Sequence, residues 1–478
     1  MSALLSHSQM LCESKGRLNS VCHPLNRRFQ PAGADSTLLS ARRWSRTGRT
    51  MDSKTYRFAH QVTKAADSEL TGAVILGGTH SALSVARSLG RKGIPVVLVT
   101  DDHPLPKLSR YIRQSFTWPG ALSPQAAEWL IDFAAKHDLR NWLLIPCADA
   151  DVKFVAEQRI RLRTAFAVVS SDWADLQRVC DKQLLAKTAA ALGIAFPRDY
   201  RVRSEEDSAR IEVQFPVVLK PAMRMERNAF TAAKAWRANS RDELKQLYRR
   251  AASLVGYDNV VVQELIPGGG EAQFSYAALW HANAPIAEMT ARRTRQYPIE
   301  FSYTSTFVEV VDNDAVSVAG RKLLSSIGFD GLVEIEFKFD ARDGSYKVLD
   351  VNPRAWSWLA LCEDAGLNLP VLMWDIALGK AIEPAQARNG HAWVHFSRDI
   401  VVATQLVFRG DLDVGEYFKT LRQKLSFAAF AWDDPLPGIL ELPLTLYRIV
   451  GRGVPRFRRR SDCVAQPRPQ DRSIIHGS

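Results

Sequence analysis

The sequence lacks three features, each of which would indicate a class of protein. No uninterrupted apolar run of about 18 residues occurs, so no segment is expected to span a bilayer. The six cysteines lie far apart without a CxxC pair, so neither a zinc site nor a disulfide framework is indicated, and a reducing, cytoplasmic location fits. The dinucleotide motif GxGxxG is also missing. With 46% hydrophobic and 24% charged residues, the 478-residue chain has the composition of a soluble protein of about two to four domains.

The net charge of +12 lies mainly at the two ends of the chain. Residues 1–50 contain eight Lys or Arg against two acids, and residues 451–478 contain seven Arg against two acids. The middle of the chain is therefore almost neutral, and no nucleic-acid groove is expected in it. We interpret the ends as solvated arms, with peripheral contact to an anionic membrane as the alternative. Residues 1–50 are either a targeting segment or an extension upstream of Met51, and we favour the extension.

Residues 71–100, TGAVILGGTHSALSVARSLGRKGIPVVLVT, predict a buried strand, a turn, a helix and a second buried strand. Further strands and helices alternate up to about residue 175, which predicts a parallel sheet covered on both faces. Gly77 and Gly78 permit close packing of strand and helix, and this explanation is preferred to a nucleotide site.

From residue 176 the pattern changes to a mixed α+β order, so the predicted fold class combines α/β and α+β parts. Strands are predicted at 215–221, 274–280, 286–292 and 307–311, and helices at 181–192, 241–255 and 316–327. We divide the chain into a basic N-terminal segment (1–69), a Rossmann-like domain (70–175), an α+β domain (176–385), a helical C-terminal appendage (386–450) and a basic tail (451–478).

Carboxylates alternate with apolar residues in VEIEFKFDARDGSYKVLDVNPRAW, residues 333–356. The turn DARDG predicts a hairpin whose loop, taken as odd in length, sets Glu334 and Glu336 beside Asp350 and Asn352 on one face. Like charges placed opposite each other destabilise a bare sheet, whereas a hard cation removes the repulsion. Carboxylate and amide oxygens suit Mg²⁺ or Mn²⁺. A solvent-exposed alternating hairpin is the alternative.

Magnesium held by few protein oxygens usually also binds substrate phosphates, so a nucleotide site is expected among the upstream segments. Lys220 ends the buried strand PVVLKP, where an ammonium needs an anionic partner. The strand VVVQELIPGGG leads into a hinge whose backbone could meet a base edge, and Glu271 follows at a place suited to a ribose. A surface lysine and a plain loop acid are the alternatives.

In this order, the segments FPVVLKP, VVQELIPG, GLVEIEFKFD and YKVLDVNPRAW resemble the ATP-grasp superfamily, most closely its carboxylate–amine ligases. The resemblance covers residues 70–385. It implies an ATP-grasp fold with a leading Rossmann-like domain, and it implies ATP and Mg²⁺ (or Mn²⁺) as cofactors. It also implies a contact to the phosphates from Lys220 and a place near the nucleotide for Lys182. It further implies contacts to adenine from Gln263, Glu264, Leu265 and Ile266, to ribose from Glu271, to two metal ions from Glu336, Asp350 and Asn352, and to the transferred phosphoryl group from Arg354.

Two arginines in EMTARRTRQYP, Arg293 and Arg295, share one face of an extended strand. Such a pair suits a substrate carboxylate or an acyl phosphate, and we assign Arg293 this catalytic role. A solvated edge strand is the alternative. His395 is interpreted as a structural histidine rather than a catalytic one.

The sequence departs from the family pattern at two places. Asp350 stands where the family usually has Glu, and the loop after Lys220, PAMRMERNAFTAAK, contains no glycine although the family's loop is glycine-rich.

The predicted function is ATP-dependent ligation of a small carboxylate to an amine, by an enzyme that could be a homodimer. An ATP-grasp kinase and a non-catalytic nucleotide-binding scaffold remain as alternatives.

Overall fold

A computed structural model describes residues 70–101, 104–223, 228–233, 235–302 and 304–453. The predictions for residues 1–69 and for the basic tail beyond residue 453 lie outside these ranges. The described residues form three sheets, each with its own helices.

The first sheet is parallel and has five strands in the order β3-β2-β1-β4-β5. Its central strands consist almost entirely of buried apolar residues, as in a sheet covered on both faces. Ala73 and Ile75 contribute to one hydrophobic cluster, and Val74 and Leu76 to another, which confirms this prediction. The elements are β1 (Ala73–Leu76), α1 (His80–Gly90), β2 (Val96–Val99), a 3₁₀ turn (Leu105–Leu108), β3 (Ile112–Phe116), α2 (Ala126–Lys136), β4 (Trp142–Pro146), α3 (Asp149–Glu157), α4 (Arg159–Leu162) and β5 (Phe166–Ala167).

The second sheet is antiparallel and has four strands in the order β6-β9-β7-β8. The long helix α9 packs on it through buried Leu244, Tyr248 and Ala251. The elements are α5 (Trp173–Cys180), α6 (Lys182–Ala191), β6 (Asp199–Tyr200), α7 (Glu205–Arg210), β7 (Val217–Pro221), α8 (Ala229–Ala232), β8 (Trp236–Ala238), α9 (Arg241–Val255), a 3₁₀ turn (Tyr257–Asn259) and β9 (Val260–Glu264).

The third sheet has eight strands; seven follow the order β14-β13-β10-β11-β12-β16-β17, and β15 pairs with β11. Two strands from beyond residue 385 thus extend it, while the rest of the C-terminal part is helical. The elements are a 3₁₀ turn (Gly270–Ala272), β10 (Gln273–His281), β11 (Ala284–Tyr297), β12 (Thr304–Val310), α10 (Asp314–Ser325), β13 (Gly331–Asp340), β14 (Ser345–Asn352), α11 (Ala360–Asp364), α12 (Leu369–Ala377), β15 (Ala385–Gln386), β16 (His391–Val394), α13 (Phe396–Arg409), α14 (Val414–Thr420), β17 (Lys424–Phe427) and α15 (Leu436–Gly453).

None of the helices in the described part of the chain combines the length and the apolarity needed to cross a membrane. The described cysteines Cys147, Cys180 and Cys362 are free thiols.

Strands β13 and β14 pair in the predicted register, but a β-bulge sets this register rather than the length of the loop. Asp340 lies opposite Ser345, so the loop consists of the four residues 341–344 and is even in length. An unbroken ladder from this turn would set Glu336 opposite Leu349. A β-bulge between the pairs Phe337–Val348 and Glu336–Asp350 adds one residue to β14. The bulge therefore brings Asp350 opposite Glu336 and Asn352 opposite Glu334.

A buried ion pair joins the third sheet to the C-terminal helices. Arg295 on β11 donates from Nε and Nη2 to the two carboxylate oxygens of Asp399 on α13, both at 2.9 Å, and both side chains are at most 1% exposed. The guanidinium also lies 4.2 Å from the ring centre of Phe307. Breaking such a pair leaves an uncompensated buried charge.

Replacement of Asp399 by Ala is expected to lower the free energy of unfolding by about 3–5 kcal/mol, because Arg295 would remain buried without its partner. Urea denaturation measures the loss. The Glu128→Ala variant, which removes the exposed partner of Arg161, is the control and is expected to leave the transition unchanged. An Asp399→Ala transition at the wild-type midpoint would contradict this account.

Candidate ATP site

A cleft of about 610 Å³ is lined by residues of the second and third sheets. Strands β7 and β9 supply one side of it, and strands β10, β13 and β14 supply residues of the other. A cleft of this size accommodates a ligand as large as a nucleotide. The lining contains seven of the residues that the sequence assigned to the site: Lys182, Lys220, Glu264, Leu265, Ile266, Glu336 and Asp350.

The other assigned residues do not line this cleft. Gln263 is buried within β9, and the Glu271 carboxylate turns back to accept a 2.7 Å hydrogen bond from the Gly269 amide. The roles of Gln263 in binding adenine and of Glu271 in binding ribose therefore stay predictions. Asn352 lines a smaller adjoining cavity, whose lining shares Lys182 and Asp350 with the main cleft.

The carboxylates of β13 are buried in a polar cluster next to the cleft. Glu336 Oε2 lies 2.9 Å from Nη1 of Arg293, and Glu334 Oε1 lies 3.8 Å from the same nitrogen. Glu334 also accepts a 2.8 Å hydrogen bond from the Ser275 hydroxyl. The Asn352 amide donates to Glu334 and Glu336 over 3.3 and 3.4 Å. The cluster therefore holds its acids close together by means of one guanidinium and neutral donors.

Burial and neighbouring charges alter the protonation of this cluster. Loss of water raises the pKa of Glu334; Arg293 opposes the shift and the neighbouring charge of Glu336 reinforces it. Burial by itself lowers the pKa of Arg293, but the charges of Glu336 and Glu334 outweigh it, so this pKa lies above its ordinary value. The guanidinium therefore stays charged and neutralises the acids.

Two further cations reach the same place from other elements. Lys182, the first residue of α6, donates to Asp350 over 3.0 Å. Arg354 donates to the carboxylate of Asp149 at the start of α3 and to the side-chain amide oxygen of Asn352, the latter over 3.3 Å. The Arg354 side chain is 20% exposed, so it is mostly buried but still reaches solvent.

The residues present fit a hard divalent cation. Glu336 and Asp350 face each other in the ladder, and Asn352 stands beside them, so the available donors are oxygens. Oxygen donors are the ligands that Mg²⁺ prefers. Arg293 and Lys182 each lie within 3.0 Å of one of these acids, so the acids are ionised partners of cations, as ligands of a divalent ion also have to be.

Four basic residues that line the cleft were missed by the sequence analysis: Arg237, Lys338, Arg342 and Arg409. Lys338 lines the cleft and donates to the carbonyl of Gly268 over 2.6 Å, and burial lowers its pKa. Its position, two residues after Glu336 in VEIEFKF, follows the alternation that identified Glu334 and Glu336 and could have revealed it. Arg342 also lines the cleft and donates to Glu264 over 2.8 Å; it lies in the turn, where alternation gives no signal.

Arg293 does not lie on a solvated edge strand. Strand β11 is inside the third sheet, between β10 and β12, and Arg293 and Arg295 are 4% and 2% exposed. That alternative is wrong. The two arginines contact different acids, since Arg295 binds Asp399 while Arg293 binds the β13 carboxylates.

These sheets and their cleft define the ATP-grasp fold, and solved structures support this assignment. The biotin carboxylase domain of 2-oxoglutarate carboxylase from Hydrogenobacter thermophilus, solved with Mg-ADP and bicarbonate, has a TM-score of 0.53 and 15% identity over 68% of this chain and 74% of that one. L-amino acid ligase from Bacillus licheniformis has a TM-score of 0.51 and 15% identity over 66% of this chain and 76% of that one.

Curated relatives are more similar in sequence but cover less of the chain. D-aspartate ligase of Enterococcus faecium is 23% identical over 240 residues, which are 48% of this chain and 57% of that protein. The large chain of carbamoyl phosphate synthase from Methanothermobacter thermautotrophicus is 24% identical over 46% of this chain and 21% of that protein. No family model matches the chain. The predicted resemblance to ATP-grasp carboxylate–amine ligases is thereby confirmed.

We expect Arg293→Met to lower the free energy of unfolding by about 3–5 kcal/mol, because Glu334 and Glu336 would remain buried without their counter-charge. Urea denaturation measures this loss. Added Mg²⁺ is expected to restore more stability to the variant than to the wild type, since a divalent ion can replace the missing charge. Arg292→Met is the neighbouring control, because Arg292 donates only to a backbone carbonyl, that of Glu271. An equal response to Mg²⁺ in both variants would count against the cation site.

Proposed function

We propose that this chain is an ATP-dependent ligase that activates a carboxylate as an acyl phosphate and transfers the acyl group to an amine. The observation that supports this most directly is the convergence of Glu336, Asp350, Lys182 and Lys220 on one cleft between the second and third sheets. Acidic and basic side chains are both needed there, because a triphosphate binds to basic side chains directly and to metal ions that carboxylates hold.

The proposed reaction has two steps. An oxygen of the substrate carboxylate attacks the γ-phosphorus of ATP; the bond between that phosphorus and the oxygen bridging to the β-phosphate breaks, and ADP leaves. The amine then attacks the acyl carbon, inorganic phosphate leaves with the electron pair of the C–O bond, and the nitrogen loses a proton. The products are an amide, ADP and phosphate.

The protein contributes position and charge rather than a covalent intermediate. Lys220 and Lys182 are assigned to the phosphates, and the backbone of Leu265 and Ile266 to the adenine edge. Glu336, Asp350 and Asn352 would hold Mg²⁺, which supplies charge neutralisation between the phosphates and the incoming carboxylate. Arg354 borders the same acids and is assigned to the transferred phosphoryl group.

The substrate class is narrowed by the relatives. The names D-aspartate ligase and L-amino acid ligase support an amino acid as one of the two substrates here. The matched region spans little more than half of the D-aspartate ligase, so the partner substrate, a homodimeric state and a cytoplasmic location stay predictions.

Glu336→Gln is expected to abolish ATP-dependent turnover while leaving the fold intact, because the isosteric amide removes the charge that holds the cation. ADP release is measured with pooled carboxylates and amines, including amino acids. Glu128→Gln, the same change at an exposed acid, is the control and is expected to keep full activity. ADP release by Glu336→Gln at the wild-type rate would refute the assignment.

Hydroxylamine distinguishes acyl-phosphate formation from other uses of ATP. With ATP, Mg²⁺ and a carboxylate substrate but no amine, it is expected to yield a hydroxamate together with ADP, because it intercepts the activated acyl group. A stable phosphorylated product that hydroxylamine does not attack would indicate a kinase instead. Tight ATP binding without ADP release across the whole substrate pool would indicate a nucleotide-binding scaffold.

A further inference from the structure

Two histidines and one glutamate meet outside the ATP cleft. His80 is the first residue of α1, His395 directly precedes α13, and Glu441 lies on α15. His80 Nε2 lies 2.7 Å from Glu441 Oε1, and His395 Nε2 lies 3.2 Å from the same oxygen. Within the described residues, this is the one group of three or more His, Cys, Asp or Glu residues whose ligand atoms all lie within 4.8 Å of one another.

The geometry at His395 is not explained by a hydrogen bond. Its side chain is 2% exposed, yet Nε2 lacks a hydrogen-bond partner, because the approach to Glu441 is close without the required angles. The other ring nitrogen, Nδ1, is 3.3 Å from the Ser397 hydroxyl, which fixes the ring and directs Nε2 into the group. A buried imidazole nitrogen that points at a carboxylate and a second imidazole is typical of a metal ligand.

We propose that His80, His395 and Glu441 bind a divalent transition metal ion of the zinc type. Two imidazoles and one carboxylate are a common three-residue zinc set that leaves the fourth position to water or substrate. Metal–ligand bonds of about 2.0–2.1 Å place two tetrahedral ligands about 3.3–3.5 Å apart. The His395–Glu441 distance is close to this value, and the His80–Glu441 contact needs to open by only about 0.6 Å.

The residues around the group leave it accessible to an ion from solvent, but their positive charge lowers its affinity for a cation. The His80 and Glu441 side chains are 12% and 14% exposed, so the group reaches solvent. Arg398 acts electrostatically on both His80 and Glu441, and the N-terminus of α1 adds positive potential at His80. These charges oppose a dication and favour an anionic fourth ligand, such as hydroxide or a carboxylate. If the three residues are held together by hydrogen bonds alone, the effect of Arg398 is the opposite, because its positive charge then stabilises the Glu441 carboxylate and with it the group.

The test is calorimetric titration of the metal-stripped full chain with ZnCl₂, in the absence of nucleotide. We expect one saturable site per chain, with affinity lowered at least about tenfold by Glu441→Gln and further in the His80→Ala/His395→Ala double variant. Co²⁺ in the same site is expected to give the visible absorption of a tetrahedral ion. Arg398→Gln is expected to bind zinc more tightly than the wild type.

His281→Ala is the matched control, because His281 also pairs with a carboxylate, Asp330 at 3.0 Å, but lies outside the group. It is expected to bind zinc like the wild type. Thermal unfolding and ATP binding of each variant establish that it is folded, and both are independent of the zinc readout. The proposal is overturned if the wild type shows no saturable zinc binding, if the double variant binds as well as the wild type, or if Arg398→Gln weakens binding.

Discussion

The structure depends on the placement of like charges in a buried hairpin. Glu334, Glu336 and Asp350 lie on neighbouring positions of β13 and β14, where their mutual repulsion would destabilise an isolated sheet. Arg293 and Lys182 offset this repulsion, and each comes from a different element. Burial of these acids therefore requires β11 and α6 to be in place, and this couples formation of the candidate ATP site to formation of the fold.

Packing elsewhere in the third sheet offsets the cost of burying this polar cluster. Strand β10 pairs with β13 on the side away from β14, and on the face of the sheet opposite the acids the buried residues Tyr276, Ile335 and Phe337 belong to one continuous core. At the other side of β11, the Arg295–Asp399 pair ties the C-terminal helices to the same sheet. At both of these places the buried charges lie beside a partner that neutralises them, as burial of charge requires.

Elements distant in sequence meet in the C-terminal part. Helix α15 contributes Glu441 to the group with His80 and His395, and Asp434 just before it accepts from Arg87 of α1 over 3.0 Å. The contacts of Glu441 with His80 and of Asp434 with Arg87 join positions more than 300 residues apart. These contacts fix α15 against α1 of the Rossmann-like domain. The substrate side of an ATP-grasp ligase is expected to lie at that domain.

The sequence by itself determined the alternating elements, the hairpin and the resemblance to ATP-grasp ligases, because periodicity and ordered motifs are local properties of the chain. It also identified Glu336, Asp350 and Asn352 as a group. Only the tertiary structure decided that a bulge rather than the turn sets their register, that Arg293 is buried against them, and that Lys338 lines the cleft. The His80–His395–Glu441 group belongs to the same class, because contacts between distant residues depend on packing and leave no local pattern in the sequence.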